Sequence, residues 1–120
     1  MIEFSFLASF TKSVKRLRKK YRSLEEDIDQ LLEELQTNPC LGTDLGDNVR
    51  KIRLGIASKG KGKRGGARVL TDTEAVVSID EGRVTLLALY DKSERETLTD
   101  AEIKELVHLS RYYNNPSLYI

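Results

Sequence analysis

Tryptophan is absent from this chain, and cysteine and histidine occur once each, as Cys40 and His108. A lone cysteine cannot form an internal disulfide, which excludes a small secreted framework held by bridges. One cysteine and one histidine, in separate elements, also leave no basis for a zinc site or a Cys-His nucleophile pair; both residues read as structural. No apolar run approaches the length of a membrane span, and Glu3 lies where a secretory leader would carry positive charge. A reducing, cytoplasmic setting is the expectation, with no membrane partner. With two prolines and no repeat or low-complexity stretch in 120 residues, residues 1–120 read as one domain.

The most informative absence is of acid. Between Asn48 and Thr71 there is no Asp or Glu, while eight basic residues fall there: Arg50, Lys51, Arg53, Lys59, Lys61, Lys63, Arg64 and Arg68. Five glycines are interleaved with them, so the backbone can come close to a ligand while the cations meet a polyanion such as phosphate. The net charge of +1 conceals this, because 20 Lys and Arg are set against 19 Asp and Glu elsewhere in the chain. Thr11–Arg22 is also basic, and Leu24–Gln36 is acidic with no base.

Periodicity orders the elements. Ile2–Leu7 reads as a short strand; Phe10, Val14, Leu17 and Tyr21 mark an amphipathic helix; Leu24, Ile28, Leu31, Leu32 and Leu35 mark a second, opened by a Ser23/Glu26 capping box and stopped at Asn38-Pro39. About one residue of turn separates the two, which predicts an antiparallel hairpin. Val49–Ile56 predicts the first core strand, and Arg68–Leu70, Ala75–Ile79 and Val84–Tyr90 a following meander. Thr99 and Glu102 repeat the capping-box spacing before a third helix running towards Tyr113. The result is an α+β fold: a small, antiparallel-rich curved sheet packed on an N-terminal helical hairpin, with a C-terminal helix.

Gly60-Lys61-Gly62-Lys63-Arg64-Gly65 matches the dinucleotide-binding pattern, but a strand, not a helix, follows it, and no Lys-Ser or Lys-Thr completes a phosphate loop. No nucleotide cofactor and no metal is expected. The remaining polar chemistry is that of Lys, Arg, Tyr and carboxylates, and it suffices for cutting RNA, whose 2′-hydroxyl supplies the nucleophile. Cations stabilise charge growing on the phosphoryl oxygens, a lysine can shuttle a proton, and a tyrosine can stack on a base or assist proton transfer. Lys51 and Arg53 are two apart on one strand, Arg68 opens the next, and Tyr90 and Lys92 end the last, so a curved sheet could bring all five together.

Val49-Arg50-Lys51-Ile52-Arg53, the run Ser58–Val69 and Leu89-Tyr90-Asp91-Lys92-Ser93-Glu94 resemble the RelE superfamily of bacterial toxins, most closely its HigB-type branch. The resemblance spans nearly the whole chain and implies the toxin half of a toxin–antitoxin pair: an endoribonuclease that cuts mRNA in the ribosomal A site. It implies catalytic roles for Lys51, Arg53, Arg68, Tyr90 and Lys92, with Arg68 on the scissile phosphate, and RNA contact by Lys59, Lys61, Lys63 and Arg64. It also implies a cognate antitoxin, and a toxin–antitoxin complex on operator DNA. Three departures stand out: Ala67 stands where a well-known member has an aromatic, Lys92-Ser93-Glu94 stands where it has Lys-Arg-Glu, and a tyrosine that follows several residues later in that member has no clear match here, which leaves proton transfer open among Tyr90, Asp91 and Lys92.

Plainer readings stand beside these. The loop lysines also fit a solvated hairpin tip, Tyr90 a core strand end, and Lys12, Lys15, Arg16 and Lys19 a solvated helix face. Two other functions fit the same residues: a non-enzymatic ParE-type toxin that binds DNA gyrase, and a plain nucleic-acid-binding module.

Overall fold

The computed structural model describes residues 1–113, apart from the Tyr113 side chain. Its elements run β1 (Ile2–Phe6), α1 (Ala8–Leu17), α2 (Leu24–Thr37), β2 (Thr43–Asp44), β3 (Val49–Leu54), β4 (Ala67–Asp72), β5 (Val76–Ser78), β6 (Glu81–Asp91) and α3 (Asp100–His108), followed by a π-helical turn, Leu109–Tyr113. The fold is α+β, with sheet order β1-β6-β4-β3-β2 and β5 joined to β6 alone. Among the described residues only β1 and β6 pair in parallel; the other pairings are antiparallel.

Helices lie on both faces of this sheet because its strands alternate two apolar sets. Ile52, Leu54, Val69 and Leu89 pack against Phe10, Leu17, Leu24, Ile28, Leu31 and Leu35 of the α1–α2 hairpin. Val49, Leu70, Leu87 and Ala88 form a second cluster with Val107 of α3. Burying one such side chain stabilises by roughly 1.5–3 kcal/mol, so the strands' register is fixed by which set meets which helix. No helix among the described residues is long and apolar enough to cross a membrane.

Three local expectations need correction. The helical hairpin has a longer turn than one residue: α1 stops at Leu17, and residues 18–23 form a compact linker in which the N–H groups of Lys20 and Tyr21 both bond to the Leu17 carbonyl. Ser23 makes no cap with Glu26; its hydroxyl donates to Asp27 and accepts the Ser58 N–H at 2.8 Å, a tertiary contact that outcompetes the local one. The meander is also incomplete, since β4 pairs directly with β6 and β5 touches only the first residues of β6. Val77 and Ile79 are accordingly exposed. The Thr99/Glu102 capping box, by contrast, is present in full, with both reciprocal bonds made.

Candidate active site

Strand register assembles the site. Arg53 on β3 lies directly opposite Arg68 on β4, which in turn lies opposite Tyr90 on β6. Directly opposed residues in an antiparallel sheet share a face, so these three side chains form one row across three strands. Lys51, two positions along β3, is on the same face and opposite Leu70. It is the face that α3 covers in part, as Leu70 and Ala88 belong to the α3 cluster. Arg53 remains exposed, Lys51 is half-buried, and Arg68 and Tyr90 are each only 5% exposed.

Arg68 is bound by backbone and by no acid. Its Nη1 donates to the carbonyls of Lys63 and Ala67 at 3.1 and 3.0 Å, and its Nη2 to that of Arg64 at 3.1 Å. Three of the five guanidinium donors are thereby committed to neutral oxygens. Among the described residues no carboxylate pairs with it, so its charge is met by carbonyl dipoles alone. Tyr90 contributes a buried hydroxyl with no hydrogen-bond partner among the described residues. Leaving such a group unpaired costs about 1–3 kcal/mol, and polar atoms of this kind concentrate where a ligand completes the network. Tyr90 and Lys51 also wall a cleft of about 700 Å³ beneath α3, with Leu70, Leu98 and Val107. The Lys51 amine sits 3.5 Å from the Thr97 hydroxyl at its edge.

Lys92 follows β6 directly, and its N–H bonds to the Gly66 carbonyl at 3.3 Å, which brings the end of β6 against the glycine-rich loop. Gly66 has to be glycine, because a Cβ there would sit 2.1 Å from the Leu54 carbonyl oxygen. The loop's cations divide. Lys61, Lys63 and Arg64 are exposed, beyond a short 3₁₀ turn (Ala57–Lys59) that ends with Gly60 in the left-handed region. Lys59 instead turns inward: its side chain is 8% exposed and its amine is 2.6 Å from Asp91 Oδ1.

Asp91 lies on the hairpin face, opposite the buried Ala67, and is fully buried. Besides Lys59 it accepts bonds from the Tyr21 hydroxyl at 2.5 Å, the Ser93 N–H at 2.9 Å and the Ser93 hydroxyl at 2.7 Å. Burial would raise its pKa, but the bonds from Lys59, Tyr21 and Ser93 outweigh that and hold the carboxyl far below the ordinary range. Asp91 therefore stays ionised, on the side of the sheet away from Tyr90. A second buried acid, Asp27 on α2, accepts the Ala57 N–H and the Ser23 hydroxyl. Sequence reasoning counted Asp27 only among the acids of Leu24–Gln36; its place three residues after Leu24 and four before Leu31, inside the apolar stripe, was the available signal. Among the described residues, no group of three or more His, Cys, Asp or Glu is arranged to hold a metal ion.

Beyond the row, exposed bidentate pairs fix the connection from β6 to α3: Arg16 with Glu94, and Arg95 with Glu102. The family model for the RelE toxin of the RelE/RelB toxin–antitoxin system matches residues 9–118. With that match covering most of its length, the chain belongs to the RelE toxin family, and an antitoxin is its implied partner.

Proposed function

We propose that this toxin is an endoribonuclease of the HigB type that cuts translated mRNA in the ribosomal A site and so arrests translation. The observation that supports this best is the row Arg53–Arg68–Tyr90, flanked by Lys51 and Lys92, with no acid in it and an unneutralised buried guanidinium at its centre. RNA brings its own nucleophile. The 2′-hydroxyl loses its proton and attacks the adjacent phosphorus, the bond to the 5′-oxygen breaks, and that oxygen takes up a proton, leaving a 2′,3′-cyclic phosphate and a 5′-hydroxyl.

Each step asks for something the row offers without a metal. Arg68 and Arg53 meet the charge that grows on the phosphoryl oxygens; a preorganised donor of this kind contributes on the order of 10²–10³ in rate. Lys51 and Lys92 supply further charge or protons, and Tyr90 positions the phosphate or base through its unpaired hydroxyl. The exposed Lys61, Lys63 and Arg64 grip phosphates of ribosomal RNA, in contacts that position the toxin and carry no sequence information. The same toxin and its antitoxin bind operator DNA together, and the setting is the cytoplasm.

The test is induced expression of wild type, Arg53→Ala and Arg68→Ala, with growth and the 5′ ends of translated messages followed together. Arg53 is exposed, so its variant separates chemistry from folding. Arrest with in-frame cleavage that vanishes in both variants is the expected result. Arrest with intact messages and a DNA-damage response would instead favour a gyrase-binding, ParE-type toxin, and RNA binding with no arrest a plain binding module.

A further inference from the structure

We infer that Asp91 and Lys59 form a positioning pair for RNA cleavage, in which one buried carboxylate sets both loops flanking the Arg53–Arg68–Tyr90 row and Lys59 serves that carboxylate and makes no contact with RNA. The inference rests on the nuclease reading above and assigns two residues that touch no substrate.

Asp91 stands in the chain between Tyr90 and Lys92 but on the opposite face of the sheet. Through Ser93, whose N–H and hydroxyl both bond to Oδ1, it fixes the turn that carries Lys92. Through Lys59, bonded to the same oxygen, it fixes the base of the glycine-rich loop. Tyr21 closes the cluster from the helical hairpin: its hydroxyl donates to Oδ2 and its ring lies 5.3 Å from the Lys59 amine. Asp27 adds a parallel anchor two residues earlier by accepting the Ala57 N–H.

The far end of the same loop is tied by Arg68 to the carbonyls of Lys63 and Arg64. The loop is thus held at both ends, and the residue holding its second end is the central cation of the site. Loosening the Lys59 end shifts the carbonyls that orient Arg68, and loosening Ser93 shifts Lys92. A misplacement of about 1 Å far from the chemistry is enough to cost on the order of a hundredfold in rate. The loop lysines, alike in sequence, consequently differ in role: Lys61 and Lys63 present charge to solvent, whereas Lys59 spends its charge on Asp91.

The experiment uses purified full-length wild type, Asp91→Asn, Lys59→Met, Lys59→Arg and Lys63→Ala, with activity expressed per folded molecule from circular dichroism. Cleavage of mRNA on programmed ribosomes gives kcat and KM separately, and the salt dependence of binding to a single-stranded RNA oligomer counts phosphate contacts. In Asp91→Asn and Lys59→Met, kcat falls by roughly ten- to a hundredfold with KM little changed, and Lys59→Arg recovers most of it. The salt slope of Lys59→Met matches that of wild type, whereas Lys63→Ala lowers it by about 0.7. An active wild type with Lys59→Met lowering the slope as Lys63→Ala does, or with kcat per folded molecule unchanged, overturns the inference alone. A wild type that cuts no message overturns the nuclease reading and this inference with it.

Discussion

Replacing Asp91 by asparagine removes the negative charge bonded to a nearly buried ammonium. At 2.6 Å and an effective dielectric near 20, the gross attraction between Lys59 and Asp91 is about 6 kcal/mol, against a desolvation cost of several kcal/mol for each ion. The net worth of the pair is therefore small, but breaking it is not. Asp91→Asn leaves the Lys59 amine a neutral amide oxygen, the Ser93 hydroxyl at 3.4 Å and the Tyr21 ring face, which replace little of the charge. A loss of about 3 kcal/mol is expected, at the lower end for an uncompensated buried charge. Lys59→Met is milder, about 1–2 kcal/mol, because Asp91 keeps the Tyr21 and Ser93 donors and has Lys20 at 4.0 Å. The double variant, which buries no charge at all, should come within about 1 kcal/mol of wild type. Urea unfolding followed by circular dichroism measures all four proteins, and Asp91→Asn should melt roughly 10 °C lower. A single-variant loss below about 1 kcal/mol would mean that the pair behaves like an exposed one. A double variant as unstable as the two single losses summed would refute the reasoning outright.

Tyr90→Phe removes a buried hydroxyl that has no partner among the described residues, so folding stability should hold or rise by up to about 1 kcal/mol while RNA cleavage falls on the order of a hundredfold; equal losses of both would show that the hydroxyl is structural. Arg68→Lys cannot bridge the Lys63 and Arg64 carbonyls with a planar fork, and limited trypsin digestion should cut faster after Lys61, Lys63 or Arg64 than in wild type. Acid should act through Asp91. Its folded pKa lies below the unfolded value of about 3.9, so its contribution is complete above that value and is lost as pH falls through the folded one; urea midpoints should be flat above about pH 5 and drop below about pH 4, less steeply in Asp91→Asn. Glu102, lowered to about 2 by Arg95 and the Thr99 cap, loses its contribution over the same acid range, which Glu102→Gln would show as a shallower fall.

What could be read from the chain was what short-range chemistry decides. The stripes Phe10–Leu17 and Leu24–Leu35, the alternation in β3 and the Thr99/Glu102 box each declare an element within a few residues. The cross-strand row was half legible: spacing of two put Lys51 with Arg53, but only the register between β3, β4 and β6 aligned Arg53, Arg68 and Tyr90. The parallel pairing of β1 with β6 joins residues about 80 positions apart, and no local pattern announces it. Lys59 is the clearest case of what composition hides. In sequence it differs from Lys61 and Lys63 by nothing but position; in the fold the 3₁₀ turn and the left-handed Gly60 separate it from them, and a carboxylate 32 residues away claims it. Ser23 was misread for the same reason, a local capping partner losing to the distant Ser58.

The most direct test of the central claim is chemical. Purified toxin is mixed with ribosomes programmed with an mRNA whose A-site codon is all-ribose or carries a single 2′-deoxynucleotide at the cleavage position, and the product ends are identified by mass spectrometry. Cleavage of the ribose message to a 2′,3′-cyclic phosphate and a 5′-hydroxyl, with the deoxy message intact and Arg68→Ala inactive, is the expected result. Equal cleavage of the deoxy message, or no cleavage of either, would contradict the assignment of the Arg53–Arg68–Tyr90 row to 2′-hydroxyl-driven RNA scission.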